Sequence, residues 1–416
     1  MKILIVTQYF FPENFRINIV STYLSRQGHE ITILTGLPNY PNGKFYKGFD
    51  IWSFKFRSTI NDIKVIRVPI IPRFKSTSTA LFVNYISFIF SACFFAPFFL
   101  RKEKYDAIFT YAPSPILQSL VGIFLKAIGY SNTLVTWIQD LWPEALFLTS
   151  HIKNQLIITI AGKVVNFIYS KNDFLLISSQ DFRRPVQDRC KDKSIFYLPN
   201  PGLFDPHQPG SPEVSKIPPE LLQLLEKVCF KVVYTGNIGA AQSLETVLEA
   251  AKILINNENI KFIIIGDGSK KDELRKLNAK FNLNNFFIFD SLPETDMEFI
   301  NKMSSALLVT LNDNQLLNQT VPAKLQGYLS SKRPIIGAVG GVASSIITMA
   351  KCGFVSSPGD PTLLAHNIEK LSKLTQLELD EFGSNGYKYY VENFNPNLIA
   401  KQLSDILKNN SILIGD

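Results

Sequence analysis

Short apolar runs alternate with helical stretches along all 416 residues, and that alternation leaves few folds open. In the first half the apolar runs 2–7, 30–35, 63–69, 107–111, 133–138 and 174–178 read as strands. Helical patterns lie between them at 18–27, 79–100, 115–128 and 156–170. The second half repeats the plan, with strands at 231–235, 261–265, 286–289, 306–310, 334–337 and 353–356. Its helices are expected at 243–256, 270–281, 294–303, 323–331 and 361–375, followed by 385–394 and 396–407. A strand that is apolar throughout is buried on both faces, so each half predicts a parallel sheet with helices on both sides. The expectation is an α/β chain of two doubly wound, Rossmann-like domains facing one cleft: 1–200, 201–384, and C-terminal helices at 385–416. Leu198-Pro199-Asn200-Pro201-Gly202 and the Pro-rich stretch 205–219 read as the hinge. Ligands of such sheets bind at the carboxyl ends of the strands.

Two of those ends draw attention. Gly236-Asn237-Ile238-Gly239 follows an apolar strand and precedes a helix, and Gly266-Asp267-Gly268 follows the next strand in the same way. Small residues let a backbone approach a phosphate, and a helix N-terminus adds N–H groups and partial positive charge. Neither is a full dinucleotide fingerprint, because Ser269, Lys270 and Lys271 stand where a third glycine belongs. Tight turns that need positive φ explain the glycines equally well. Further on, Pro322 starts a helix and Lys324 lies in its first turn. An ammonium there opposes the helix dipole, which a bound anion would relieve; the plainer reading is an exposed lysine. Gln326 is in reach of a ribose or sugar hydroxyl.

In the first half Asp140 ends a strand within Trp137-Ile138-Gln139-Asp140-Leu141-Trp142, a carboxylate between tryptophans that suits a sugar or, more plainly, a helix N-cap. Glu13, Asn14, Phe15 and Arg16 follow the first strand, and Asn39 and Tyr40 follow the second, so both loops line the same end of the sheet. Arg16 could grip a phosphate with two nitrogens.

Charge is uneven. Residues 1–200 hold 23 Lys and Arg against 12 Asp and Glu, and residues 51–105 alone hold nine against two. Beside apolar sequence this fits an anionic membrane surface or a pyrophosphate ligand. No nucleic-acid-binding signature accompanies it, so no nucleic acid is expected. The stretch 80–100 is long and apolar enough to span a bilayer. The strand expected at 107–111 belongs to the same sheet as 2–7, however, so a buried or membrane-docking helix is favoured, with Arg73, Lys75, Arg101, Lys102 and Lys104 beside it. Cys93, Cys190, Cys229 and Cys352 have neither metal-ligand spacing nor a disulfide framework, which points to a reducing cytosol. His29, His151, His207 and His366 form no metal set, His29 reads as structural, and no Asp-x-Asp pair ends a strand. Metal-independent chemistry with no cofactor is the expectation.

Taken in order, Tyr9-Phe10-Phe11-Pro12-Glu13-Asn14, the 28–36 segment, Pro38-Asn39-Tyr40-Pro41, Asp140-Leu141-Trp142-Pro143-Glu144, Gly236-Asn237-Ile238-Gly239 and Val321-Pro322-Ala323-Lys324 resemble the GT-B glycosyltransferases of retaining family 4. The likeness is to the fucosamine-transferase-like and colanic-acid enzymes of bacterial O-antigen and capsule synthesis. It implies a UDP-sugar donor, such as UDP-N-acetyl-L-fucosamine or a related deoxy-amino sugar, and a polyprenyl-pyrophosphate-linked saccharide acceptor. The enzyme would be cytoplasmic and peripheral on the inner face of the membrane. It implies donor contacts from Gly236, Asn237, Gly239, Gln242, Gly266, Asp267, Pro293, Val321, Lys324 and Gln326, with Asp140 and Lys324 catalytic. Acceptor contacts would come from Glu13, Asn14, Phe15, Arg16, Asn39 and Tyr40. Departures from the pattern are Asn318 and Gln326 for paired glutamates, Gln139 for a histidine, Asn237 and Gln242 for a basic pair, and Asn14 and Phe15 for glycines. A glutamine keeps a hydrogen bond but loses its charge assistance, about half its strength. Two other readings fit the same scaffold: a nucleotide-sugar epimerase, which needs acid–base groups where no histidine stands, and a non-catalytic sugar-nucleotide-binding partner.

Overall fold

The computed structural model describes residues 1–50, 52, 56–74, 77–101, 103–145, 154–202 and 217–412. Lys75, Lys102, His151, His207 and most of the expected hinge 205–219 lie outside them. The chain divides into two compact units, Met1–Pro201 with Pro396–Asp416, and Gly202–Asn395.

The first unit is built on β1 (Lys2–Val6), β2 (Glu30–Gly36), β3 (Arg57–Ile60), β4 (Ile63–Val68), β5 (Ala107–Ala112), β6 (Leu134–Ile138), β7 (Phe174–Ile177) and β8 (Ser194–Tyr197). Among the described residues they form one sheet in the order β3-β4-β2-β1-β5-β6-β7-β8. β1 serves two cores because successive side chains point to opposite faces. Ile3 and Ile5 of β1 join Ile17 and Leu24 of helix Arg16–Arg26, whereas Leu4 and Val6 join Phe88 and Ala92 of helix Ser78–Leu100. All pairings are parallel except β3 with β4, a hairpin closed by Asn61 and Asp62 at φ 49° and 62°. Two left-handed residues in succession are what a type I′ turn requires. β3 was not among the expected strands because Arg-Ser-Thr-Ile offers no apolar run, and β8 at the other edge was not among them either.

The second unit carries β9 (Phe230–Thr235), β10 (Ile260–Ile265), β11 (Phe286–Phe289), β12 (Ala306–Thr310), β13 (Ile335–Ala338) and β14 (Gly353–Ser356), parallel throughout in the order β11-β10-β9-β12-β13-β14. Its helix Gly341–Met349 was not among the expected helices. Helix Gln376–Asn393 opens on a capping box, Thr375 with Glu378, and stays with this unit, so the chain changes unit at Pro396, not at 385.

Helix Pro396–Ile412 then packs on the first unit. Ile399, Ala400, Leu403 and Leu407 form one buried stripe against helix Arg16–Arg26. Ser404 Oγ lies 2.9 Å from Nε2 of the buried His29, and Gln27 Nε2 donates to Asn397 Oδ1 at 2.8 Å. His29 is thus structural. Truncating the stripe with Leu403→Ala is expected to cost about 2–5 kcal/mol, as for other large-to-small core changes, seen as a lower denaturant midpoint.

Candidate functional site

Strand order reverses between β9 and β12 in the second unit, and such a switch point opens a crevice at the carboxyl ends of the strands. β9 leaves the sheet through Gly236 at φ +131°, which a residue with a side chain rarely adopts. The turn is locked to its neighbours. Gly236 N donates to Ile265 O at 2.9 Å, Ile238 N to Asp267 O at 2.7 Å, and Lys270 N to Ile238 O at 2.9 Å. Gly266 has ordinary φ, but a Cβ on it would lie 1.8 Å from Gly236 O, so this glycine is needed for loop packing. Gln242 reaches back from within, its Oε1 accepting from Gly239 N at 3.1 Å and Asn237 Nδ2 at 3.2 Å. A 3-10 turn, Ala240–Gln242, comes first, and the α-helix starts only at Leu244. The Gly-rich turn therefore does not lead straight into an α-helical N-terminus, as the sequence suggested. The far side of the switch point is tied down by Asn312 N donating to Ala241 O at 2.9 Å.

Lys324 comes to this turn from helix Ala323–Ser330. Its stem is partly exposed, but Nζ is shut off from solvent and has no hydrogen-bond partner among the described residues. The ammonium sits 3.7 Å from the centroid of the Tyr234 ring and 3.4 Å from where a Cβ of Gly236 would stand. Burial alone pulls its pKa from 10.5 down to about 7. The exposed-lysine reading is thereby corrected, because no exposed ammonium lacks solvent on Nζ. Tyr328, on the same helix, fixes the approach: Thr235 N donates to its hydroxyl at 2.8 Å. Gln326 is buried in the helix body.

A cavity of about 350 Å³ opens beside the turn. The structure brings Gly236, Asn237, Gly266 and Asp267 together on its wall, joined by Thr235, Ile265, Ser291, Leu292 and Met297, which were not among the expected site residues. Pro293 caps helix Glu294–Met303 and is not on that wall. Ser291 and Leu292 follow β11 as Gly236 follows β9, so the rule that ligands gather at strand ends could have found them. Val321 is partly buried just before Pro322, the N-cap of the Lys324 helix.

In the first unit the order reverses between β1 and β5. Asp140, after β6, accepts from Ser114 N at 3.2 Å, and burial raises its carboxyl pKa against that bond. It ties two strand-end loops together instead of capping a helix. Arg16 and Asp140 both lie close enough to Tyr111 of β5 to act on its hydroxyl, in opposite directions. Trp137 is fully buried, its Nε1 donating to Leu198 O at 2.9 Å, and belongs to the core. The expectation of a carboxylate between two tryptophans is therefore corrected: the side chains of one strand alternate, and Trp137 points inward.

Glu13 and Asn39 are buried and hold the β1 and β2 loops together. Glu13 Oε1 accepts from Asn39 N at 2.8 Å and Tyr40 N at 2.7 Å, and Asn39 Oδ1 accepts from Arg73 N at 3.1 Å. Around them Phe15 stacks on Tyr9 at 4.7 Å and leans on Tyr40 at 5.3 Å, while Asn14 is exposed. The Arg73 guanidinium lies 5.0 Å from the Tyr9 and Tyr40 rings and donates to the hydroxyls of Tyr9 and Tyr85. Tyr9, Arg73 and Tyr85 were not foreseen as site residues, because three separate elements supply them. Burial raises the Glu13 pKa to about 7, against its backbone amides and Arg73. A raised carboxyl pKa means that the folded chain binds more protons than the unfolded one between about pH 4.5 and 7, so this contribution weakens as pH rises through that window. Glu13→Gln is expected to flatten the stability slope there and to raise stability at pH 8, by at most about 3 kcal/mol, read by denaturant titration at both ends of the window.

Residues 225–389, which lie within the second unit, match the family Glycosyl transferases group 1. WbjE of Pseudomonas aeruginosa, named as a probable glycosyltransferase, is 24% identical over 66% of this chain and 68% of its own. WcaI of Escherichia coli (strain K12), which carries the name colanic acid biosynthesis glycosyl transferase, is 26% identical over 79% of this chain and 81% of its own. Among solved structures, the sucrose-phosphate synthase from Thermosynechococcus elongatus superposes with a TM-score of 0.72 at 14% identity, over 98% of both chains. HepE from Anabaena, solved with UDP, does so with a TM-score of 0.67 at 16% identity, over 98% of this chain and all of that one. The fold is that of the GT-B glycosyltransferases.

Proposed function

We propose that this chain transfers a sugar from a UDP-linked donor to a polyprenyl-pyrophosphate-linked saccharide during synthesis of a bacterial surface polysaccharide. It would work at the cytoplasmic face of the membrane. The observation that carries the reading is the Lys324 ammonium, buried without a hydrogen-bond partner against the Gly236 turn of a group 1 glycosyl transferase domain. A buried cation with no counter-ion is costly, and a diphosphate would repay that cost. The names of WbjE and WcaI and the UDP held by HepE lend support.

In the step envisaged, the bond between the sugar's anomeric carbon and the diphosphate oxygen breaks. The acceptor hydroxyl oxygen bonds to the same carbon from the same face, and its proton passes to the departing diphosphate. Lys324 supplies positive charge where that diphosphate's negative charge grows, so no protein nucleophile and no metal is called for. The cavity beside Gly236 and Asp267 receives the nucleoside, and the first unit, with Asp140, Arg16, Phe15 and Tyr40, receives the acceptor.

A thermal-shift panel against UDP, GDP, ADP and TDP, then UDP-sugars, tests the donor class. A shift with UDP, larger with one UDP-amino sugar, is the expected result. No shift with any nucleotide removes the donor site from the reading. UDP release that depends on a lipid-linked acceptor separates transfer from epimerisation and from mere binding.

A further inference from the structure

Helix Ser78–Leu100 shows two opposite faces to two different surroundings. Asn84, Phe88, Ala92, Ala96 and Leu100 recur every four residues and are buried. The last four pack with Leu4, Val6 and Leu34 of the sheet, and Asn84 accepts from Gln8 Nε2 at 2.8 Å. On the other side Phe82, Phe90, Phe94 and Phe98 are 58%, 71%, 64% and 67% exposed. The last three stand four residues apart, so they form one continuous ridge along the helix. No charged residue interrupts it. Beside the middle of the helix the exposed Ile71 adds apolar surface, its N donating to Ser87 Oγ at 2.9 Å.

Among the described residues two exposed bases stand at the C-terminal end of this helix. Arg57 is exposed, donates to Phe99 O at 2.9 Å and lies over the Phe99 ring, and the exposed Arg101 follows the last turn. The nearby acid, Glu103, is already held by Lys64 at 2.7 Å and Lys2 at 3.5 Å. Soluble monomers rarely expose so continuous an apolar surface, and one rimmed by bases matches the interface of a bilayer that carries negative headgroups. The helix cannot cross that bilayer while its other face stays on the sheet, because β5, which follows it, pairs in parallel with β1.

We propose that the ridge Phe90, Phe94 and Phe98, with Phe82, inserts into the headgroup–acyl boundary of an anionic bilayer, the helix lying in the membrane plane and Arg57 and Arg101 meeting lipid headgroups. This deepens the reading of a lipid-linked acceptor, but its test needs neither donor nor turnover. The full chain is sedimented with vesicles of phosphatidylcholine, with and without phosphatidylglycerol. Binding is expected to the anionic vesicles, weakening with salt. A Phe90→Ser, Phe94→Ser, Phe98→Ser triple variant is expected to lose at least about tenfold in partitioning, while its thermal melt remains that of the parent. Phe94→Trp provides a second readout, expected to shift its emission to the blue when anionic vesicles are added. Three outcomes overturn the proposal: no binding to anionic vesicles, undiminished binding of the triple variant, or a ridge-dependent dimer with no vesicle binding, which would assign the surface to a second copy of the chain.

Discussion

Lys324→Ala lowers kcat/KM by about 30- to 1,000-fold, the about 2–4 kcal/mol lost when one pre-placed electrostatic contact to a growing negative charge is removed. The same change leaves the fold intact or steadies it, since the native ammonium is buried with no hydrogen-bond partner. Loss of activity without loss of Tm is therefore the signature, and it sets Lys324 apart from a lysine that merely supports its helix. Acidity gives a second handle. Burial holds Lys324 in the free protein at a pKa of about 7, and a bound diphosphate restores it towards its ordinary value of 10.5. Between those values the complex carries a proton that the free protein lacks, so UDP affinity falls as pH rises above 7, by at most about tenfold per unit. Titration of UDP by calorimetry at pH 6.5, 7.5 and 8.5 shows the slope, and Lys324→Ala abolishes it. Retained turnover in the variant, or a UDP affinity indifferent to pH, takes Lys324 out of the mechanism.

Much of this fold was legible because its strands are buried on both faces. Ile3, Leu4, Ile5 and Val6 feed two separate cores, and such a run cannot belong to a strand with one wet side. What escaped had the opposite character. β3 alternates exposed and half-buried residues and is held by its Asn61-Asp62 turn. The glycine turns were legible as turns, but only the structure separates their tasks. Gly236 needs its backbone conformation, whereas Gly266 needs the absence of a side chain. Lys324 stood out for its place in a helix, yet its burial depends on Tyr234, 90 residues earlier, and no local pattern reports that. Tyr9, Arg73 and Tyr85 illustrate the same limit: their cluster exists only after β1, β4 and helix Ser78–Leu100 are assembled. Trp137 shows the converse error, a residue near Asp140 in sequence whose ring points into the core.

Gly266→Ala is the substitution that tests whether the interlocked loops make the site. One methyl group would sit 1.8 Å from the carbonyl oxygen of Gly236 and 2.9 Å from its carbon. That neighbour is backbone, and it cannot retreat without breaking the bond from Gly236 N to Ile265 O, and with it the bond from Ile238 N to Asp267 O. Both loops must part, and the cavity wall parts with them. The expected cost is about 3 kcal/mol or more, at the upper end for overpacking, together with loss of the UDP-induced thermal shift. Gly359→Ala is the control. Gly359 lies in the same unit at φ +75°, and a Cβ there would meet nothing within 4 Å. It keeps only the strain of a left-handed alanine, about 1–2 kcal/mol, and leaves UDP binding alone. If both variants lose equal stability and both still bind UDP, the loops are not what shapes the cavity. If Gly266→Ala alone loses UDP while still folding, the Gly236–Gly266 contact is the part of the fold on which nucleotide binding depends.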